Sequence, residues 1–443
     1  MREPPHYDAG DELNQPFTDP EEMVEPYLAP LDLGPTRPHK PSMVDEMSRS
    51  RWLVLVLVLG GLSAFGPLSV DMYLPALPSI ADELGGGASG VQLTLTAVLA
   101  GLALGQLIAG PLSDQLGRRM PLMVGVSGYA AASLACAFAP SVGVLVALRF
   151  LQGLGGAAGI VIARAVVRDL YEGVAAARFF SRLMLVTGLA PIFAPIFGAQ
   201  VLRFTDWRGV FWVLAGIGVV LVIGVAVGVP ETWPVSRRSG AGVGTTLRRM
   251  FGLTRDRVLM GYALASGLAF AAMFAYISGS PFVIQEIYGA SPQFFSIVFG
   301  VNAFGLAAAG QLNAQLVARI SPQRLLHLGL GITFVSGLAL LVVVAFEVPG
   351  LAALLPPLFF LVTSMGLIFP NATALALAEH PEAAGSASAL LGVLQFIVGA
   401  AVAPLVGIAG EGTALPMAVL IAILGMGALL AHFFLSRPAE ERV

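Results

Sequence analysis

Between Trp52 and Leu435 the chain is a succession of apolar runs broken at glycine, proline and short clusters of charge. Each run is about 20 residues or longer, enough to cross a hydrocarbon layer of about 30 Å at 1.5 Å per residue. The breaks predict spans at 52–74, 89–113, 119–139, 141–163, 181–203, 207–229, 258–286, 292–318, 323–346, 350–372, 384–409 and 413–435, twelve in all. Helices are expected throughout, and the fold class read from the pattern is an all-α integral membrane protein.

Composition sharpens this. The chain has 443 residues, 56% hydrophobic and 12% charged, with a mean hydropathy of +0.83, whereas soluble domains are about a quarter charged. The formal net charge is -3, which gives no reason to expect a nucleic-acid partner. Cys136 is the only cysteine and lies in an apolar run, so an intrachain disulfide and a cysteine metal cluster are excluded. His6, His39, His327, His380 and His432 are scattered without metal-ligand spacing, and the only lysine, Lys40, follows no phosphate-binding glycine loop. No enzyme chemistry, metal or cofactor is therefore expected, and a monomer is the working expectation.

The charges also orient the spans. Arg118 and Arg119, then Arg164, Arg168, Arg178 and Arg182, then Arg237, Arg238, Arg248, Arg249, Arg255 and Arg257, and Arg319 and Arg324 fall in alternate loops. The opposite loops hold Arg203 and Arg208 among Asp82, Glu83, Asp206, Glu286, Glu347 and Glu411. Basic loops stay in the cytoplasm, so both termini are expected there. Residues 1–50 are rich in Pro, Asp and Glu, the composition of a disordered tail. The first apolar run starts too late and is too long for a cleaved signal. The polar, Arg-rich joint 230–257 divides the rest into six-span halves at 51–229 and 258–437, with 438–443 as a short tail. Gly105-Gln106-Leu107 is echoed by Gly310-Gln311-Leu312, and the Arg118/Arg119 pair by Arg324, so the halves read as a repeat. Parallel repeats of this kind place a substrate site between the halves at mid-membrane.

Gly110-Pro111-Leu112-Ser113-Asp114-Gln115-Leu116-Gly117-Arg118-Arg119 resembles the major facilitator signature G-x-x-x-D-R-x-G-R-R between helices two and three. Gly110 and Gly117 permit a tight turn, and Asp114 can meet a helix N-terminus or an arginine. The resemblance implies a conformational latch of Gly110, Asp114, Gly117, Arg118 and Arg119; the plainer reading is that the arginines only set topology. Gln115 stands where the family has a basic residue.

Arg149 lies about eight residues, about 12 Å, inside span four. A guanidinium there costs about 2.5 to 3.5 kcal/mol unless it faces the bundle interior and finds a partner. Arg149, Gln152 and Gly153 resemble the helix-four motif R-x-x-Q-G of the same superfamily, which implies a part in proton coupling; a structural anchor is the alternative. Gly188, Pro191, Pro195 and Gly198 are similar to the kinked helix-five signature of its antiporters, with two prolines that remove backbone donors.

Asp71 is an acid near one end of span one, a functional site by default, with Arg149 the expected electrostatic partner. The alternative is a carboxylate that orients a loop at the membrane edge. Asp71-Met72-Tyr73-Leu74-Pro75-Ala76 with Leu77-Pro78 closely resembles the helix-one signature of the bicyclomycin/chloramphenicol-resistance (Bcr/CflA) drug exporters, and the likeness covers about 50 to 437. Some relatives carry a second acid two turns earlier, where this chain has Ser63.

The resemblance implies the major facilitator fold, a bacterial inner membrane, and export of small, largely apolar drugs in exchange for protons. Asp71 and Arg149 would carry the coupling. Tyr73, Phe274 and Gln395 are candidate cavity residues, with packing as the alternative. A proton-coupled carrier of an endogenous metabolite is the second reading.

Overall fold

The computed structural model describes residues 48–171, 173–238, 243–378, 380, 384–408, 410 and 412–436. Residues 1–47 of the expected N-terminal tail, the expected 438–443 tail, Glu411 and 239–242 of the 230–257 joint lie outside these residues, whereas Arg49 and Ser50, expected in the tail, are helical. Among the described residues the ordered elements are all helical.

The first span is built in pieces, α1 (Arg49–Ser63), α2 (Phe65–Asp71), a 3-10 turn (Leu74–Ala76) and α3 (Leu77–Leu84), and it bends by 45° after Ser63. Pro67 has no N–H for the Ser63 carbonyl four residues earlier. The Ser63 hydroxyl donates instead to Leu59 O at 2.8 Å, a back-bond that also bends helices. The span thus runs past Pro75 to Leu84, ten residues beyond the expected 74.

The rest follows as α4 (Gly87–Leu116), α5 (Arg119–Cys136), α6 (Val142–Leu170), α7 (Gly173–Val201), α8 (Trp207–Gly228), α9 (Val243–Leu253), α10 (Arg257–Phe282), α11 (Pro292–Leu316), α12 (Pro322–Ala345), α13 (Leu355–Ala378), α14 (Ala384–Val406) and α15 (Leu415–Leu435). Among the described residues ten helices are long and apolar enough to span alone, and the bent first pair makes up to eleven. The twelfth expected span, 119–139, is α5, only 18 residues long. Arg119, Pro121, Ser127 and Tyr129 dilute its apolar character.

The same neighbours recur in each set of six spans. In the first, α4 and α5 pack on α6, α5 on α8, and α1 on α8 and α7; in the second, α11 and α12 pack on α13, α12 on α15, and α10 on α15 and α14. The two sets meet through α4 against α14 and α7 against α11. Small residues allow the closest approaches: a Cβ on Gly101 would strike Phe150 O, and one on Gly153 would strike Val98 O, so α4 and α6 touch backbone to backbone.

The 230–257 joint is not only loop. Its helix α9 buries Met250 against Leu259, Ala387 and Leu390, with Leu107, Leu253 and Leu377 around them. The bundle has a basic end, with Arg118, Arg119, Arg168, Arg238, Arg257, Arg319 and Arg324, and an acidic end with Asp82, Glu83, Asp206 and Glu286.

Candidate functional site

Arg149 is completely buried on α6. Its Nη2 donates to Ser69 O at 2.7 Å and its Nη1 to Gln152 Oε1. Gln152 Nε2 donates to Ser133 Oγ at 2.7 Å, and Ser69 Oγ meets the Tyr129 hydroxyl at 2.9 Å. The guanidinium lies over the Tyr73 ring at 4.6 Å and near Phe211 at 5.7 Å. Tyr73 is in turn fixed by a 3.0 Å bond to Thr94.

Local structure explains the target. Ser69 is in the last turn of α2, where carbonyls lack intrahelical partners, and a cation is favoured at that end of the helix dipole. Asp71 closes the same helix, where a negative charge is disfavoured. The expected Asp71–Arg149 ion pair is not formed, because the guanidinium is taken by Ser69 O and Gln152. Asp71 is 6% exposed and has no hydrogen bond or ion pair among the described residues. Of the Arg149 nitrogens, Nε is the one without a partner among the described residues.

Asp71 faces the seam between the two sets of spans. The turn that follows it packs on α10, which carries Tyr276, and on α11. Tyr276 accepts from Asn302 Nδ2 at 2.8 Å and stacks on Phe299 at 5.7 Å.

The seam is closed toward the acidic end by side chains bonding to carbonyls of the opposite set. Ser89 Oγ donates to Pro404 O at 2.8 Å, Gln92 Nε2 to Ser278 O at 3.0 Å, Thr96 Oγ1 to Ala400 O at 2.7 Å, and Gln293 Nε2 to Ala199 O at 3.0 Å. Ala400 O is available because Pro404, four residues on, has no N–H, and Pro404 O and Ala199 O lie in last helical turns. A cavity of about 390 Å³ sits above, lined by Pro75, Ser79, Asp82, Glu83, Gln285 and Glu286 among others.

At the basic end the Asp114–Arg119 loop is tied down within one set of spans. Arg118 is 3% exposed. It pairs with Asp114, and with Asp169 of α6 at 2.8 Å, and lies over Trp233 at 4.6 Å. Glu231 accepts from the backbone N–H of Arg118 at 2.8 Å and of Arg119 at 3.2 Å. Burial pushes the Glu231 carboxyl up, but these N–H groups, that of Trp233 and Arg238 outweigh it and hold it below the usual range. Gly117 takes φ +96°, and a Cβ there would strike the Glu231 carboxylate.

Asp169, Glu231, Thr232 and Trp233 were not anticipated from the sequence. Their only signal was acid and Trp embedded in arginine-rich segments. Gln115 is half-buried, and a Cβ on Gly110 would meet only a side chain in ordinary contact.

The helix-five residues behave unevenly. The helix α7 continues through Pro191 and Pro195 rather than being interrupted there. A Cβ on Gly198 would land on Met72 O, so this glycine lets α7 reach the break after Asp71; Gly188 faces open space. The candidate cavity residues are not brought into one wall. Tyr73 belongs to the Arg149 cage, Phe274 stacks on Phe270 at 5.7 Å beside Phe369 and Phe396, and Gln395 is half-buried on α14. Among the described residues no three His, Cys, Asp or Glu side chains converge as metal ligands.

Residues 57–404 match the family described as Major Facilitator Superfamily. An uncharacterized MFS-type transporter, YdgK, of Bacillus subtilis is 42% identical over 88% of this chain and 96% of its own length. A bicyclomycin resistance protein homolog of Haemophilus influenzae is 33% identical over 88% of this chain and 98% of its own. The solved xylose transporter XylE from E. coli, titled a partially occluded inward open conformation, superposes with a TM-score of 0.68 at 13% identity over 89% of this chain and all of that one, a likeness of fold. A buried arginine on the fourth span, a tied loop after the second and repeated six-span packing thus come with matches along most of the chain, which belongs to the Major Facilitator Superfamily of transporters.

Proposed function

We propose that this transporter exports small, largely apolar drugs across a bacterial cytoplasmic membrane in exchange for protons, by alternating access. The observation that carries the reading is Asp71, an acid buried at the seam between the halves with no bonding partner. An ionised carboxylate in that position is expensive to bury, so its proton occupancy and the packing of the seam depend on each other. The name of the bicyclomycin resistance relative supports a drug as cargo. The arginine-rich end faces the cytoplasm in this reading, with the acidic-end seam closed and Arg149 holding the end of α2 beside Asp71.

The energetics suffice. One proton moving down about 100 mV yields about 2.3 kcal/mol, enough for a gradient of roughly fiftyfold of a neutral drug at one-to-one exchange.

The test is resistance of a pump-deficient bacterium to unrelated antibiotics, with wild type and Asp71→Asn expressed at matched levels. Resistance to some compounds that disappears in the variant is the expected result. Resistance fully kept in the variant removes Asp71 as the proton carrier, and no resistance to any compound favours a carrier of an endogenous metabolite.

A further inference from the structure

The helix α9 in the joint between the halves has two unlike faces. Met250 is buried with Leu259, Ala387 and Leu390, and Leu253 packs beside them. Arg248, Phe251, Gly252 and, in the turn after the helix, Arg255 are exposed. At 3.6 residues per turn these four share one face, directly opposite Met250 and Leu253. Phe251 on that outer face is 71% exposed.

The inner face fixes the level at which α9 lies. Leu259 is in the first turn of α10, Ala387 in the first turn of α14, and Leu377 in the last turn of α13. A helix backed against the ends of three spans is level with the headgroup layer, which extends about 5 to 7 Å beyond the hydrocarbon on each side. It also reaches both halves, because α9 packs on α4 as well as on α14. Those two helices bond directly at Thr96 and Ala400. About three turns nearer the basic end, Leu107 of α4 and Leu390 of α14 lie instead in the cluster around Met250. The charge on the outer face is not neutralised within the chain. From 243 to 257 there are Arg248, Arg249, Arg255 and Arg257 and one acid, Asp256. Asp256 accepts from the N–H groups of Val258 and Leu259 and is bonded to His380 at 2.8 Å. Arg248 and Arg255 make no hydrogen bond or ion pair among the described residues.

We propose that the outer face of α9, made by Arg248, Phe251 and Arg255, docks on the anionic phospholipid headgroups of the cytoplasmic leaflet. A guanidinium fork matches phosphate oxygens, an aromatic ring is favoured at headgroup depth, and each basic group near an anionic surface adds to the attraction. A lipid surface fits this face because the level of α9 is set by the span ends on which its inner face rests. Headgroup binding then pins the helix across the joint between α4 and α14, one from each half. The inference takes from the transport reading only that the basic end is cytoplasmic, and it is independent of the cargo and of Asp71.

The test uses the full-length chain with Phe251→Trp in lipid nanodiscs of equal parts phosphatidylcholine and phosphatidylglycerol, with bromine high on the acyl chains of one lipid or of the other. Quenching of the fluorescence added by Phe251→Trp is read as the difference from the parent, which has Trp52, Trp207, Trp212 and Trp233. Brominated phosphatidylglycerol is expected to quench about twofold or more as strongly as brominated phosphatidylcholine. The preference should shrink in about 1 M salt, where the Debye length is about 3 Å against about 10 Å at about 0.1 M. It should vanish when Arg248→Gln and Arg255→Gln are added. Equal quenching by the two lipids with both arginines present would overturn docking on anionic headgroups and leave only insertion of the ring. Quenching by neither lipid, with the emission of an indole in water, would overturn docking on the membrane and leave the face to a soluble partner. A preference undiminished by the two glutamine substitutions would assign it to other arginines of the basic end and overturn the role of α9.

Discussion

Arg149 donates to the backbone carbonyl of Ser69 at 2.7 Å, two residues short of the acid it was expected to meet. That bond fastens the fourth span to the end of α2 and leaves Asp71 without a counter-ion. On the proton-coupled reading, a permanent ion pair would hold the carboxyl ionised, whereas a cation spent on a carbonyl would leave it able to take up and release a proton.

Arg149→Lys tests the cage. Lysine keeps the charge but lacks the planar fork that reaches Ser69 O and Gln152 Oε1 together while lying over Tyr73. The expected result is folded protein with transport reduced about tenfold or more, the equivalent of about 1.4 kcal/mol, measured as drug accumulation in everted vesicles. Transport equal to wild type would show that the charge alone matters.

Two motif glycines should part company. Gly153→Ala places a methyl on Val98 O where α4 and α6 touch, and Gly188→Ala places one in open space. The first should lower expression and the melting temperature in detergent, and the second should leave both unchanged, as read by size-exclusion profiles of heated samples.

The seam should respond to a single isosteric change. Thr96→Val deletes the bond to Ala400 O, worth about 1 kcal/mol, so the closed-to-open ratio should fall about fivefold. Maleimide labelling of Ser278→Cys at fixed pH reports it; labelling as slow as in the Thr96 parent would mean the bond contributes nothing to closure.

Glu231 gives a pH signature at the basic end. Its folded carboxyl is held below the usual range, so its stabilising contribution is present above the unfolded value of about 4.3 and is lost as pH falls through the lower, folded value. Glu231→Gln should therefore be less stable than wild type from pH 7 down to about 5, with the gap closing below about pH 4. A gap that stays constant down to pH 3.5 would assign the effect to packing.

Much of the site could be read along the chain where partners are close in sequence. Asp114 and Arg118 are four apart on neighbouring turns, and Arg149 and Gln152 three apart on one face of α6, and in each case the side chains meet. Asp169 and Glu231 reach the same arginine from 51 and 113 residues away. No periodicity links them, because the packing of α5 against α6 and α8 brings them to one end of the bundle.

The apolar runs by themselves determined the helices, their number within one or two, and the repeat between halves, because a chain in lipid must satisfy its backbone within each span. What tertiary structure alone decided is which buried polar group meets which. Pro67 bends the first span and Pro404 frees the Ala400 carbonyl. Arg149 is drawn to the open end of α2, and Asp71 is thereby left at the seam without a bonding partner. Those pairings depend on which carbonyls a helix break or a proline leaves without a donor, and on which helix lies alongside them, and both are properties of the packed bundle.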